Sequence, residues 1–198
     1  MNDPEIRQLL FAKLAKRVSF TSQQIVEEAP ISNGAIRADV VVCSNKVECF
    51  EIKSHGDSLK RLMSQATQYE QSFDLVTLVC ATKHLTNAMN ILPDWWGITE
   101  VTGSGKLKVI SRAKKNPYVD FRGMADLLSN DESRSILINI GKGKGVRSLS
   151  HNDLKKRLEE CLSFKEFREL VIQELSKRNE QWGPSLLTAN AREPQLLY

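Results

Sequence analysis

Asp39, Glu51 and Lys53 place two carboxylates and an amine at the ends of two apolar runs, 36–43 and 47–53. These runs are rich in Val, Ile, Phe and Cys, and the tripeptide Ser44-Asn45-Lys46 between them suits a tight hairpin. With Asn45 at its tip, residues whose numbers sum to 90 face each other: Cys43 with Val47, Val41 with Cys49, and Asp39 with Glu51. Alternate strand residues share a face, so Lys53 lies on the same side as Glu51. Opposed Cβ atoms stand roughly 5 Å apart, and two carboxylates there repel, more strongly as water is excluded. Mg²⁺ offsets that repulsion well, because it takes hard oxygen ligands, typically one or two carboxylates with water and substrate phosphate. An ammonium beside it can orient a water and neutralise charge developing on phosphate. The same three residues also fit a buried ion-pair cluster, or strand ends emerging into solvent.

The elements that must position these residues are legible around them. Asp3 and Pro4 start a helix over 3–16, with Ile6, Leu9, Leu10, Lys13 and Leu14 at helical spacing. A short strand is expected at 23–29 and a turn on Asn33 and Gly34. Asp57 is the expected N-cap of a helix reaching Gln71, on the periodicity of Leu59, Leu62, Met63, Ala66 and Tyr69. A buried strand at 74–82, a short helix at 84–90 and a second hairpin over 98–110 follow. Beyond Asn116-Pro117-Tyr118, residues 118–140 and 150–181 read as helical, joined by the basic loop Gly-Lys-Gly-Lys-Gly-Val-Arg, with Ser150 and Asp153 as a capping box. The architecture expected is α/β, a mixed sheet flanked by helices over 1–115, a helical region over 116–182 packed on or appended to it, and an extended tail over 183–198.

Composition narrows the class. A chain of 198 residues, 41% hydrophobic and 26% charged, is enough for one substantial globular core. No run approaches the roughly 18 apolar residues of a membrane span, and the N-terminus carries acids where a secretory signal carries bases, which predicts a soluble, cytoplasmic protein. Cys43, Cys49, Cys80 and Cys161 form no Cys-x-x-Cys pair, and the first three sit in apolar runs, so they read as small buried hydrophobes. His55, His84 and His151 are too scattered for a zinc site and are expected on the surface or in loops. The net charge of +4 permits a polyanionic partner without demanding one.

Asp39 followed by Glu51-Ile52-Lys53 resembles the PD-(D/E)xK nuclease superfamily, with Ala38 in place of the proline before the Asp. The stretch 51–79, then Ala-Thr-Lys-His, Asp-Trp-Trp-Gly-Ile, Asn-Pro-Tyr and Arg-Asn-Glu-Gln-Trp, is similar to a family of bacterial and phage proteins built on that core, over nearly the whole chain. The resemblance implies a restriction-endonuclease-like fold and Mg²⁺, or Mn²⁺ in its place, held by Asp39, Glu51 and the main-chain carbonyl of Ile52. It implies a water-positioning role for Lys53, an upstream acid at Glu28, and an assisting Gln65-x-x-x-Tyr69 pair like that of the RecB and Cas4 branch. The implied substrate is nucleic acid, DNA before RNA. The alternative is a nuclease-fold module that binds nucleic acid or a protein without cutting.

Lys60 and Arg61 are placed to meet nucleic-acid phosphates beside this site, and Lys142, Lys144 and Arg147 of the basic loop are a weaker candidate for the same contact. Trp95 and Trp96 read as packing a turn onto the core rather than as stacking platforms. Thr-Gly-Ser-Gly-Lys at 102–106 fails as a P-loop, since Glu100 stands where its first glycine belongs and Leu107 follows the lysine, and it reads as a hairpin turn. The C-terminal helices carry no chemistry of their own and could cover the sheet, form a homodimer or protein-partner surface, or steer DNA.

Overall fold

The computed structural model describes residues 1–17 and 24–182; the tail expected from Gly183 lies outside them. Six strands, β1 (Gln24–Ile31), β2 (Ile36–Cys43), β3 (Val47–Lys53), β4 (Leu75–Ala81), β5 (Gly97–Val101) and β6 (Leu107–Ser111), form one sheet in the order 1-2-3-4-5-6. β3, β4 and β5 run parallel, while the β1–β2, β2–β3 and β5–β6 pairs are antiparallel, giving the mixed α/β sheet expected from the sequence. The hairpin register is that of the Asn45-centred count, with Val41 opposite Cys49 and Cys43 opposite Val47.

Parallel strands need crossovers, supplied by α2 (Leu62–Ser72) and α3 (Leu85–Ile91). Successive right-handed crossovers in one direction fall on one face, and Leu62, Ala66, Tyr69 and Ala88 all enter the same apolar cluster as Val41, Cys49, Leu78 and Ile98. On that face also pack α4 (Phe121–Ala125), α5 (Asn130–Asn139), α6 (His151–Cys161) and α7 (Phe164–Trp182), through Met124, Leu137, Leu154, Phe167 and Val171. The opposite face is covered by α1 (Asp3–Leu14), whose Ile6, Leu10, Phe11 and Leu14 meet Val40, Val42, Phe50 and Ile52. Both faces of β2 and β3 are therefore buried, and each of these fully covered aliphatic side chains stabilises the sheet by about 1.5–3 kcal/mol.

Several elements depart from the sequence expectation for local reasons. α2 starts at Leu62, because Asp57 is occupied elsewhere, accepting from the Ser54 amide at 2.7 Å and the Ser54 hydroxyl at 2.6 Å. Lys60 and Arg61 thus precede the helix. The stretch 118–140 splits at Ser129, which forms a capping box with Glu132, and 150–181 splits at Ser163, whose hydroxyl and Glu166 close a new helix start. Cys43, Cys49 and Cys80 are buried thiols, while Cys161 is only half-buried. His84, expected on the surface, is buried, its Nε2 3.1 Å from the Ser54 carbonyl oxygen. Trp95 and Trp96 are buried and pack on each other, with Trp96 also against Tyr69. No helix among the described residues is long and apolar enough to cross a membrane.

Candidate functional site

The β2–β3 ladder runs from Cys43–Val47 to Val40–Phe50 and stops there. One step further, Asp39 turns its carboxylate toward β3 and Oδ2 accepts from the Ile52 amide at 2.6 Å. Its neighbour across the gap is Glu51, only 2% exposed, which receives Lys53 Nζ on Oε1 at 2.5 Å and the Tyr69 hydroxyl on Oε2 at 2.7 Å. Two carboxylates and an ammonium thus converge where the strands part. An open concavity of about 380 Å³ lies over them, lined by Glu28, Arg37, Asp39, Glu51, Lys53, Arg61 and Gln65 among others.

Each partner is delivered by a distinct element. Gln65 and Tyr69, one turn apart on α2, both face β3. Tyr69 is fully buried and fixes the plane of the Glu51 carboxylate, while the side-chain oxygen of Gln65 is buried and has no hydrogen-bond partner among the described residues. Glu28 stands opposite Asp39 in the β1–β2 register, between the Glu27–Val40 and Ala29–Ala38 pairs, but this pair is missing from the ladder. Its φ of 50° is a conformation L residues seldom adopt. Arg37 Nη1 holds the strained segment by donating to the Glu28 carbonyl oxygen at 3.3 Å.

The residue the sequence reading missed is Arg7. Its guanidinium, 11% exposed, donates from Nε to Asp3 at 2.5 Å, from Nη2 to Glu28 Oε1 at 2.5 Å and from Nη1 to the Asp39 carbonyl oxygen at 2.8 Å. Nη2 also lies 3.5 Å from Asp39 Oδ1, and Nη1 3.6 Å from Glu27. A signal existed: Arg7 shares the i, i+3, i+4, i+7 stripe of Leu10, Phe11 and Leu14, where a charge is out of place unless it has partners.

Electrostatics follow from this packing. Burial, and next the charge of Glu51, push the Asp39 carboxyl up to about 7 against the pull of the Ile52 amide, Lys53 and Arg7. Burial likewise raises the Tyr69 hydroxyl, with Cys49 and Glu51 adding to the effect, so it stays a proton donor. Among the described residues no group of three or more His, Cys, Asp or Glu side chains converges as a metal cage. The donor set lining the opening is two hard carboxylates, Asp39 and Glu51. That set fits Mg²⁺, which binds through one or two carboxylates and keeps several waters, and fits no thiophilic metal.

Lys60 does not join the site. It lines a separate depression of about 460 Å³ with Asp57, Met63, His84 and Asn87, because α2 begins after it. Arg61 does line the concavity. The basic loop 141–147 lies between α5 and α6, among the C-terminal helices.

Compared with known proteins, the chain is 28% identical over 187 residues to "Protein cII" of Enterobacteria phage P4, a match covering 90% of this chain and 68% of that protein. Among solved structures it is similar to the SPO1766 protein of unknown function from Silicibacter pomeroyi, at 16% identity and a TM-score of 0.40, covering 70% of this chain and 94% of that one. The family model described as Bacteriophage P4 protein cII matches residues 1–195, so the chain belongs to the bacteriophage P4 protein cII family.

Proposed function

We propose that this protein is a Mg²⁺-dependent nuclease hydrolysing phosphodiester bonds of nucleic acid, DNA before RNA. The observation that carries the reading is the meeting of Asp39, Glu51 and Lys53 in one open concavity at a strand parting, with a buried tyrosine orienting Glu51. The resemblance of Asp39 and Glu51-Ile52-Lys53 to the PD-(D/E)xK arrangement supports it. Asp39, Glu51 and the Ile52 carbonyl would hold the ion. When bound, Mg²⁺ supplies a Lewis acid for a phosphoryl oxygen and lowers the pKa of a coordinated water. Lys53, with one N–H committed to Glu51, presents its remaining N–H groups to an attacking water or a phosphate oxygen. Tyr69 and the Ile52 amide fix the carboxylates in place, and Gln65, which lines the same opening, would orient a water or a sugar.

Incubation with DNA and RNA of varied form, in Mg²⁺, Mn²⁺ or chelator, tests this. Cleavage is expected only with metal, and Asp39→Ala or Lys53→Ala should lower it by about 10²–10⁴-fold. Activity that survives either change sinks the mechanism.

A second reading, a nuclease-fold module that binds nucleic acid without cutting, draws on the fact that both acids already have protein partners: Glu51 has Lys53 and Tyr69, and Asp39 has Ile52 and Arg7. Salt-sensitive binding with no metal-dependent product would favour it.

A further inference from the structure

Lys53 pairs with Cys80, Cys80 with Glu100, and Glu100 with Lys108, so these four residues form one transverse row across β3, β4, β5 and β6. Directly paired residues share a face, which puts Lys108 on the same face as the site lysine, three strand spacings away, or about 14 Å. The middle of the row is closed to solvent. Cys80 is fully buried, and Glu100 is covered by Thr82, whose hydroxyl donates to it at 2.7 Å. Lys83, exposed on the same 3-10 turn (Thr82–His84), lines a hollow of about 180 Å³ with Met1, Ile6, His55, Thr102 and Gly103, at the carboxyl ends of β3, β4 and β5 and on the α1 side of them, so a strand passing from Lys53 to Lys108 meets it by crossing over the end of the sheet. Lys106, exposed just beyond, bonds back to Thr102 through its carbonyl oxygen. Among the described residues no acid is within ion-pair distance of Lys83, Lys106 or Lys108.

We infer that Lys83, Lys106 and Lys108 form a phosphate track leading one nucleic-acid strand from Lys53 across the carboxyl end of the sheet to the β6 edge. The span of about 14 Å matches about four nucleotides of a strand advancing about 3.4 Å each along its axis. The bases would stay unread, because the row offers ammonium groups suited to backbone contact. The inference rests on the nuclease reading for its substrate class only; the track itself needs no metal.

The test is binding of a fluorescent DNA oligonucleotide to the full chain in chelator, from about 50 to about 200 mM salt. The combined variant Lys83→Gln, Lys106→Gln, Lys108→Gln should flatten the slope of log K against log salt by about 2 to 3, at about 0.7 per contact to single strands or about 0.9 to duplex. A charge-matched control, Lys46→Gln, Lys156→Gln, Lys165→Gln, at exposed positions away from the carboxyl end of the sheet, should leave the slope near wild type. If both variants shift the slope equally, or neither does, or the wild type binds no oligonucleotide, the track is refuted and the β6 lysines only guard a sheet edge. Metal-dependent cutting by the wild type, measured in parallel, is read separately. A flattened slope without cutting keeps the track and removes the nuclease; cutting with an unchanged slope does the reverse.

Discussion

Arg7 is the residue on which the acidic cluster depends, since among the described residues it alone pairs with all of Asp3, Glu27, Glu28 and Asp39. Removing it leaves the part-buried Asp39 without that cation and the more exposed Asp3, Glu27 and Glu28 facing one another, so Arg7→Met should cost about 1–3 kcal/mol in urea unfolding. Arg7→Lys should recover only part of this, because a single ammonium cannot reproduce three separate donor directions. Asp39 makes a second prediction with a definite sign. Its ordinary value of 3.8 rises to about 7 in the fold, so folding favours the protonated carboxyl. The associated stabilisation is complete below about pH 4 and is lost as pH climbs through 7. Wild type should therefore lose stability relative to Asp39→Asn between about pH 4 and 7 and hold level above that, and a constant difference across this range would contradict the environment described. A divalent ion held as proposed would displace that proton, so Mn²⁺ should raise the melting temperature more at pH 8 than at pH 6. The pattern of acids and lysine was legible in the sequence because strand alternation and hairpin register are local rules. Arg7 was not, because all its partners except Asp3 lie 20 to 32 positions away and only the packing of α1 over the β1–β2 end brings them to it.

At the scale of elements, the strands were readable from their β-branched runs and turn residues, and the register of β2 with β3 followed from the loop alone. Helix ends were harder to read. The start of α2 shifted because Asp57 found closer donors in Ser54, a competition between neighbouring amides that periodicity cannot resolve. The breaks at Ser129 and Ser163 are capping boxes inside stretches that carry continuous apolar spacing. Close approach of α4 to α2 explains one glycine. A Cβ at Gly123 would sit 2.5 Å from the Gln71 carbonyl oxygen, and Ser72 Oγ already donates to the Gly123 carbonyl at 2.9 Å. Gly123→Ala should force the two helices apart and cost about 1–3 kcal/mol, visible as a drop of several degrees in the thermal midpoint. An unchanged midpoint would mean that this contact is looser than described.

For the whole molecule, the sheet and the C-terminal helices share one apolar cluster, in which Tyr69 and Leu78 belong with Phe167, Val171 and Leu175. Polar ties reinforce this: Arg168 pairs with Asp74 at 3.0 Å, and Asn116 donates to the Phe73 carbonyl at 2.7 Å. A chain ending at residue 116 should therefore show no cooperative melt, and the full chain should show coincident transitions by near- and far-UV circular dichroism. Two separated transitions would divide what the core joins. The strand order has a kinetic corollary. Every sheet pairing links neighbours in sequence, so each strand can be zipped to the one before it as synthesis proceeds, with short loop closures throughout. Yet β1 and β2 pack against α7, the last helix described. Synthesis must pass that helix before the first strand gains its cover on the α7 side, so a nascent chain exposes one bare sheet margin until Trp182 has emerged.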